Sequence, residues 1–344
     1  MTNIHKLLTL CLLTTTILQA KPKPQPTVAT DGTGKFRTFQ AALDALPPTG
    51  GTITFAPGTY REKITIDKPG VQLLGLGKHP QDVVLVFDAS AGTYGGTSKS
   101  ATITVTADDF QARNLTIQND WSLRNPAFNP NGHEGAQAVA LMLRGDRAII
   151  DHVRLLGAQD TLYAGGGGHC SPTEPCRPIR QFFSNCYIEG HIDFIFGDAN
   201  AVFQSCEIHG IANQVVWLTA QSKNTPDRDS AYVFDHCTIT ADPGVGDLYL
   251  GRPWRPYATV IYMNTNIDAN LNPAGWSEWL VGKTNSIETA YYAEFNSTGR
   301  GADPTHREKF SHQLTPEEAK KYIPANFLAG PDNWHPPGAL TTIH

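Results

Sequence analysis

Phe183-Ser-Asn-Cys-Tyr-Ile188 is the clearest copy of a pattern that recurs along this sequence. Further copies are Phe203-Gln-Ser-Cys-Glu-Ile208 and Phe234-Asp-His-Cys-Thr-Ile239, with a looser one at Ile150-Asp-His-Val-Arg-Leu155. Each copy begins with an aromatic or aliphatic residue, contains a polar pair and ends on an aliphatic residue. These final residues lie 33, 20 and 31 positions apart. Such spacing fits stacked coils of about 20 or more residues that carry inserted loops of variable length.

The repeat favours a parallel β-helix, because each coil of that fold buries its apolar face only against the coils on either side. A β-sandwich is the alternative, since its strands also recur every ~8 to 12 residues. Both folds belong to the all-β class. The 31 Gly and 24 Pro residues, in short turn-like clusters among many Val, Ile, Thr and Phe residues, favour the same class.

Short helices are expected at both ends of this β-region. Residues 38–46 place four apolar side chains on one helical face, which predicts a helix before the first strands. Near the other end, Thr315 suits an N-cap and Pro316 suits the first turn of a helix that runs to about Tyr322. We expect these helices to cap the two ends of the fold.

The N-terminal residues predict export. Residues 1–20 contain the single cation Lys6 and an apolar run from Leu7 to Leu18, as a signal peptide does. Residues 21–26 alternate Pro with Lys or Gln and predict an extended leader before one domain at 27–344. No later apolar run approaches the roughly 18 residues of a membrane span. We therefore expect a secreted protein, extracellular or periplasmic, with no membrane span.

The charge and the missing motifs exclude several function classes. A net charge of −5, with no Lys/Arg run, argues against a nucleic-acid partner. We also expect a monomer. The G-x-S-x-G elbow of serine esterases is absent. The pair His133-Glu134 lacks the second His of a zinc-protease helix, because Gln137 stands there. No metal or cofactor is expected.

Two aspartates stand within apolar segments. Asp160 lies in Gly157-Ala-Gln-Asp-Thr-Leu-Tyr163, and Asp193 lies in His191-Ile-Asp-Phe-Ile-Phe-Gly197. A buried carboxylate is costly unless it is paired or hydrogen-bonded. A single Asp in a β-protein is more often a solvent-facing turn residue, so either position alone would be weak evidence of a site.

Five segments in order carry a resemblance to a known family. They are Gly58-Thr-Tyr-Arg-Glu62, Gln137-Ala-Val-Ala-Leu141, the Asp160 segment, Asp193-Phe-Ile-Phe-Gly197 and Leu250-Gly-Arg-Pro-Trp254. From about Val28 to Trp279 the chain thus resembles the pectin methylesterases, carbohydrate esterase family 8. The resemblance implies a single-stranded right-handed parallel β-helix. It also implies hydrolysis of the methyl esters of polygalacturonate (pectin) to pectate and methanol, in modification or degradation of the plant cell wall.

The resemblance also implies roles for individual residues. Asp193 would be the nucleophile, and Asp160 the general acid and then the general base. Gln137 and Gln159 would supply the amides of the oxyanion hole, and Arg252 would hold Asp193. The substrate-binding aromatic residues would be Trp254, Phe196, Trp276 and Tyr163, with Trp279 as the alternative to Trp276.

Five cysteines follow the predicted signal peptide. Cys186 and Cys206 occupy equivalent places in the repeat, 20 residues apart, so we expect a disulfide between successive coils. Cys170 and Cys176 are expected to close the loop at 165–177, which is longer than the compact form of the family. Cys237 would then be free.

Overall fold

The computed structural model describes residues 27–126, 135–165, 179–280 and 286–342. The strands within these residues are β1 Gly51–Phe55, β2 Gly58–Arg61, β3 Ile64–Ile66, β4 Val71–Gly75, β5 Val83–Phe87, β6 Ile103–Val105, β7 Gln111–Asn119, β8 Leu141–Leu143, β9 Ala148–Leu156, β10 Leu162–Ala164, β11 Arg180–Ser184, β12 Tyr187–Gly190, β13 Ile195–Gly197, β14 Asn200–Gln204, β15 Glu207–Gly210, β16 Val215–Trp217, β17 Thr219–Gln221, β18 Ala231–Asp235, β19 Thr238–Ala241, β20 Asp247–Tyr249, β21 Thr259–Met263, β22 Asn266–Ile267, β23 Tyr291–Phe295 and β24 Ser311–Gln313. The α-helices are α1 Phe39–Asp44, α2 Ala91–Tyr94, α3 Trp121–Arg124, α4 Pro316–Ala319 and α5 Pro324–Leu328. Short 3₁₀ turns lie at Pro80–Asp82, Thr97–Lys99 and Lys320–Tyr322.

Parallel pairing between coils builds three faces. The first face contains β1, β4, β7, β9, β11, β14, β18, β21, β23 and β24. The second contains β2, β5, β12, β15, β19 and β22, together with the second halves of the bent strands β7 and β9. The third face contains β3, β6, β8, β10, β13 and β17. This is the parallel β-helix that the repeat and the resemblance predict, and the β-sandwich alternative is wrong.

The repeat places the same residue types above one another. The rings of Phe183, Phe203 and Phe234 are in register on the first face, and neighbouring rings stack 4.6 and 4.5 Å apart. On the second face, Ile188 pairs with Ile208 in the same way. Both ladders point into the core, as the pattern of apolar residues predicts.

The polar pair in each copy turns the chain from the first face to the second. The second residue of the pair has left-handed backbone in successive coils, with φ of 53° at Asn185, 55° at Ser205 and 54° at His236. Asn and His are enriched in this conformation, whereas β-branched residues are strongly disfavoured there. The polar positions of the repeat are therefore set by the turn.

The disulfide predicted between Cys186 and Cys206 is wrong. Both are buried free thiols, as is Cys237 on the next coil. In-register residues of parallel strands lie ~4.8 Å apart and point the same way, whereas a disulfide brings two Cβ atoms to about 3.8 Å. The Cys186 thiol donates to the Ile150 carbonyl oxygen instead, at 3.3 Å. Cys170 and Cys176 lie outside the described residues.

The predicted end helices are present. Thr38 caps α1, and Thr315 caps α4 in a reciprocal pair with Glu318. The C-terminal segment is held against the outside of the first face by Arg180, whose guanidinium bonds Asp146 at 2.6 Å and Asp332 at 2.9 Å. Within the described residues, no helix is long and apolar enough to cross a membrane.

Candidate active site

Asp160 and Asp193 occupy equivalent positions on neighbouring coils. Asp160 lies two residues before Leu162, the first residue of β10, and Asp193 lies two residues before Ile195, the first residue of β13. Leu162 and Ile195 pair with each other between the two strands. The backbone amide of Asp160 donates to the carbonyl of Ile192 at 3.0 Å. Neighbouring coils are ~4.8 Å apart. The two carboxyl groups therefore stack at the entrance to the third face, although 33 residues of sequence separate them.

Both aspartates have left-handed backbone, with φ of 64° at Asp160 and 52° at Asp193. This conformation is uncommon outside glycine, and strained positions of this kind concentrate at functional sites. It turns both side chains out of the strand at the start of the third face. The two carboxyl groups therefore reach the surface of the cleft, although each residue is less than 10% exposed.

Arg252 binds only one of the two carboxyl groups. Its Nε and Nη2 donate to the two carboxylate oxygens of Asp193 at 2.8 and 2.7 Å. The guanidinium lies between two indole rings, 3.8 Å from the centroid of Trp217 and 4.4 Å from that of Trp279. The rings and the fork-like pairing together fix the position of the Asp193 carboxylate.

Asp160 has the opposite electrostatic environment. Burial raises its pKa well above the ordinary value, and the negative charge of Asp193 raises the pKa further, against a smaller opposing effect of Arg252. Two neighbouring carboxyl groups with such different surroundings separate into an ionised and a protonated partner. The site therefore combines a fixed carboxylate with an adjacent acid.

A cavity of about 600 Å³ lies above this pair. It is lined by eight of the nine predicted catalytic and substrate-binding residues: Gln137, Gln159, Asp160, Asp193, Arg252, Tyr163, Phe196 and Trp254. The side-chain oxygen of Gln159 is buried and accepts no hydrogen bond within the described part of the chain. The two glutamine amides thus stand at the same cavity as the aspartates.

Aromatic rings form one wall of the cavity. Tyr163 stacks on Phe196 with ring centroids 4.2 Å apart, and Trp254 meets Phe196 edge-on at 5.8 Å. These rings come from the third face and the loop beyond it. They present the kind of apolar surface that suits the face of a sugar ring.

Trp276 does not line the cavity, so its predicted substrate-binding role is wrong. It is fully buried and stacks on Tyr292 at 4.1 Å inside the coil. Trp279, the alternative in the same segment, lines the cavity instead. Trp276 pairs with Gly251 in an isolated bridge and points into the coil, whereas three residues later Trp279 faces the cavity.

Trp217 is the main residue that sequence reasoning missed. It stands two residues before Thr219, which pairs with Ile195, and so it occupies the place of Asp193 on the next coil. Its indole nitrogen donates to the Ser277 hydroxyl at 2.7 Å. This hydrogen bond fixes the indole ring on which the Arg252 guanidinium packs. Only the register between coils could have identified it.

Comparisons with known proteins identify the family of this chain. The family model described as Pectinesterase matches residues 25–331. A pectinesterase from Arabidopsis thaliana is 32% identical over 315 residues, which cover 88% of this chain and 77% of that protein. The solved pectin methylesterase from carrot superposes with a TM-score of 0.79 at 29% identity, over 94% of this chain and 99% of that one. A pectin methylesterase solved in complex with a hexasaccharide gives 0.72 at 29%, over 90% and 98%. The chain therefore belongs to the pectinesterase family and is a carboxylic ester hydrolase of that type.

Proposed function

We propose that this enzyme hydrolyses the methyl esters of polygalacturonate to pectate and methanol, with Asp193 as nucleophile and Asp160 as general acid and base. The observation that carries the proposal is the unequal treatment of two in-register aspartates. Arg252 binds Asp193 in a bidentate pair, whereas burial and the neighbouring charge raise the pKa of Asp160. An ionised nucleophile beside a protonated acid is what ester cleavage requires.

In the first half of the reaction, an oxygen of the Asp193 carboxylate attacks the carbonyl carbon of the methyl ester. The carbonyl oxygen becomes an oxyanion, which the amides of Gln137 and Gln159 stabilise. Loss of one such donor costs about 2.7–4 kcal/mol in other enzymes. The intermediate then collapses: the bond to methoxide breaks, the Asp160 proton passes to the leaving oxygen, and methanol departs.

In the second half, Asp160 is a carboxylate and takes a proton from water while the hydroxide attacks the galacturonyl carbon of the mixed anhydride formed with Asp193. The bond to Asp193 breaks, its carboxylate returns to Arg252, and galacturonic acid is released. Asp160 again carries a proton. The net reaction consumes one ester and one water and yields one acid and one methanol.

The cavity walls support a polysaccharide substrate. Tyr163, Phe196 and Trp254 offer apolar ring faces beside the aspartates. The related pectin methylesterase that was solved with a hexasaccharide supports the same substrate class. We propose the homogalacturonan of plant cell walls as the natural polymer.

The predicted export fits such a substrate. We propose that residues 1–20 are a signal peptide, that 21–26 form a leader, and that 27–344 form one domain that acts outside the cytoplasm as a monomer. The family match over residues 25–331 supports the domain boundary.

The test is methanol release from highly methylated pectin by the purified chain. We expect one methanol for each carboxylate formed, measured by a coupled alcohol assay and by titration. A folded chain that releases no methanol from this polymer would refute the proposed substrate.

A further inference from the structure

His191 stands two residues before the proposed nucleophile and takes no part in the chemistry described above. It is buried, with 6% of the residue exposed, and it does not line the active-site cavity. Counting along the coils from the paired strands β10, β13 and β17 places Ala158 and Val215 at the equivalent positions of the neighbouring coils. The coil itself therefore does not require a histidine, and a polar ring buried at this position needs another explanation.

The ring nitrogen Nδ1 of His191 accepts a hydrogen bond from the backbone amide of Ile192 at 2.7 Å. Since a backbone amide can only donate, Nδ1 carries no proton, and the single proton of the neutral ring is on Nε2. Burial lowers the pKa of His191 to about 4, so the ring keeps this neutral form near neutral pH. No backbone carbonyl accepts from the Ile192 amide within the described part of the chain. The imidazole is therefore the acceptor on which this buried amide depends.

The backbone held by this ring is connected to three parts of the active site. The His191 carbonyl oxygen accepts from the backbone amide of Trp217 at 2.8 Å, and the Trp217 indole supports the guanidinium that binds the nucleophile. The next carbonyl oxygen, that of Ile192, accepts from the backbone amide of Asp160 at 3.0 Å. The residue after Ile192 is Asp193 itself. A rotation of the peptide between His191 and Ile192 would thus displace the two catalytic carboxyl groups relative to each other.

We propose that His191 is a positioning residue for the catalytic pair: its ring holds the Ile192 amide and thereby fixes the Asp160 and Asp193 carboxyl groups relative to each other. The inference rests on the proposed function. Catalytic groups must keep their geometry closely, since a displacement of about 1 Å can cost on the order of 10²-fold in rate. Both aspartates have left-handed backbone, and such conformations persist only where the surrounding structure holds them. The His191 ring supplies part of that support.

Substitutions of His191 can separate the acceptor atom from the bulk of the ring. In His191→Asn the amide oxygen can occupy the place of Nδ1, because both atoms are bonded to Cγ. In His191→Gln the amide oxygen is bonded to Cδ and lies farther out, and His191→Leu has no acceptor. We expect kcat for methanol release to fall about tenfold or more in the Leu and Gln variants and to stay within about threefold of the parent in the Asn variant. KM should change less than kcat, since His191 does not line the cavity.

The matched control is His209→Leu. His209 is a partly buried histidine of β15 on the second face, and its Nδ1 lies 2.7 Å from the Thr240 hydroxyl oxygen. It does not line the cavity. This variant should lower the melting temperature and leave kcat of the folded protein unchanged. A purely structural role of His191 would give that same result in His191→Leu, so kcat separates positioning from stability.

Hydrogen–deuterium exchange of the peptide that contains Ile192, measured by mass spectrometry, supplies a readout without turnover. Exchange should be faster in the folded Leu variant than in the parent, and parent-like in the Asn variant. The proposal is overturned if folded His191→Leu keeps parental kcat or parental exchange, if the Asn and Gln variants have equal kcat, or if His209→Leu loses as much kcat. If His191→Leu does not fold, the comparison of Asn with Gln decides. A parent that releases no methanol refutes the proposed function instead, and the exchange measurement then decides on the His191 contact.

Discussion

Two arginine–aspartate pairs in this molecule look alike and differ in what surrounds them. In the cleft, Arg252 holds Asp193 in a bidentate pair at 2.8 and 2.7 Å. On the outside of the first face, Arg180 holds Asp146 in a bidentate pair at 3.1 and 2.6 Å. Both pairs are mostly buried, with arginine side chains 16% and 3% exposed. Burial and pairing alone therefore do not distinguish a catalytic pair from a structural one.

The surroundings separate the two pairs. Arg180 also bonds Asp332 and the carbonyl oxygens of Leu328 and Ala329, so its donors are engaged by the C-terminal segment. The cleft pair instead stands beside an acid, Asp160, which has no arginine partner of its own among the described residues and whose pKa is raised by burial. A carboxylate next to a second carboxyl group of different protonation can act in acid–base and nucleophilic catalysis. An arginine–aspartate network whose donors are all engaged can only stabilise the fold.

The largest expected effect is on catalysis at the cleft pair. Asp193→Asn should lower methanol release at least about 10⁴-fold, because an amide is a far poorer nucleophile and losses of this size follow removal of nucleophiles elsewhere. The fold should survive, since the Asn oxygen can still accept a hydrogen bond from Arg252. Initial rates on methylated pectin and circular dichroism together measure both points.

Asp160→Asn serves as the paired variant in the same assay. It should also be severe, about 10²- to 10⁴-fold, because methanol would depart without a proton. Near-parental methanol release by folded Asp193→Asn, with reversion to Asp excluded by mass spectrometry, would show that the nucleophile lies elsewhere.

The next effect is on stability at the outer pair. Arg180→Met should lower the free energy of unfolding by about 3 kcal/mol or more, because it leaves Asp146 buried without its main partner. Arg113→Met is the control: Arg113 is 66% exposed and pairs with Asp151 at the surface, so the cost should stay within about 0.5 kcal/mol. Denaturant melts measure both. If Arg180→Met lost methanol release while keeping its stability, the comparison would be reversed.

The sequence predicted the parts of the site that depend on local chemistry. Asp160, Asp193 and Arg252 stand in short segments whose resemblance to a family could be read residue by residue. The coil repeat also predicted that positions 33 residues apart could meet, because it set the in-register stacking of Leu155 on Ile188. Those features need only the order of residue types.

The wrong predictions concern the direction in which side chains point and the distances between residues in the fold. Neither can be read from residue types alone. Whether Trp276 or Trp279 turns outward depends on the path of a segment that lies between β22 and β23, outside the strands. The sequence predicts that Cys186 and Cys206 lie on successive coils. Their side chains point in the same direction, however, and do not form a disulfide. Arg180 binds Asp332, which is 152 residues away in the sequence, and no local pattern predicts that contact.

The smallest effect, and the sharpest test of the comparison, is the sign of the pH dependence of stability. The folded pKa of Asp160 is raised above the unfolded value of about 3.9. Above pH ~4 the unfolded chain releases a proton that the native state retains, so Asp160 lowers stability progressively as pH rises toward its folded pKa. The folded pKa of Asp332 is lowered to about 2, mainly by its hydrogen bonds from Arg180. Asp332 therefore contributes stability that is present above pH ~4 and is lost as pH falls toward 2.

Thermal unfolding of the two Asn variants and the parent between pH 3 and 8 reads both signs. Asp160→Asn should match the parent near pH 4 and exceed its melting temperature at pH 7, because the amide cannot ionise when the chain unfolds. Asp332→Asn should fall below the parent at pH 7 and approach it as the pH is lowered. Methanol release by the parent should in turn decline as pH rises through the folded pKa of Asp160, since the acid that protonates methanol is lost. Shifts of the same sign in both variants would mean that the cleft and the outer network are alike electrostatically, and the distinction between a catalytic and a structural pair would fail.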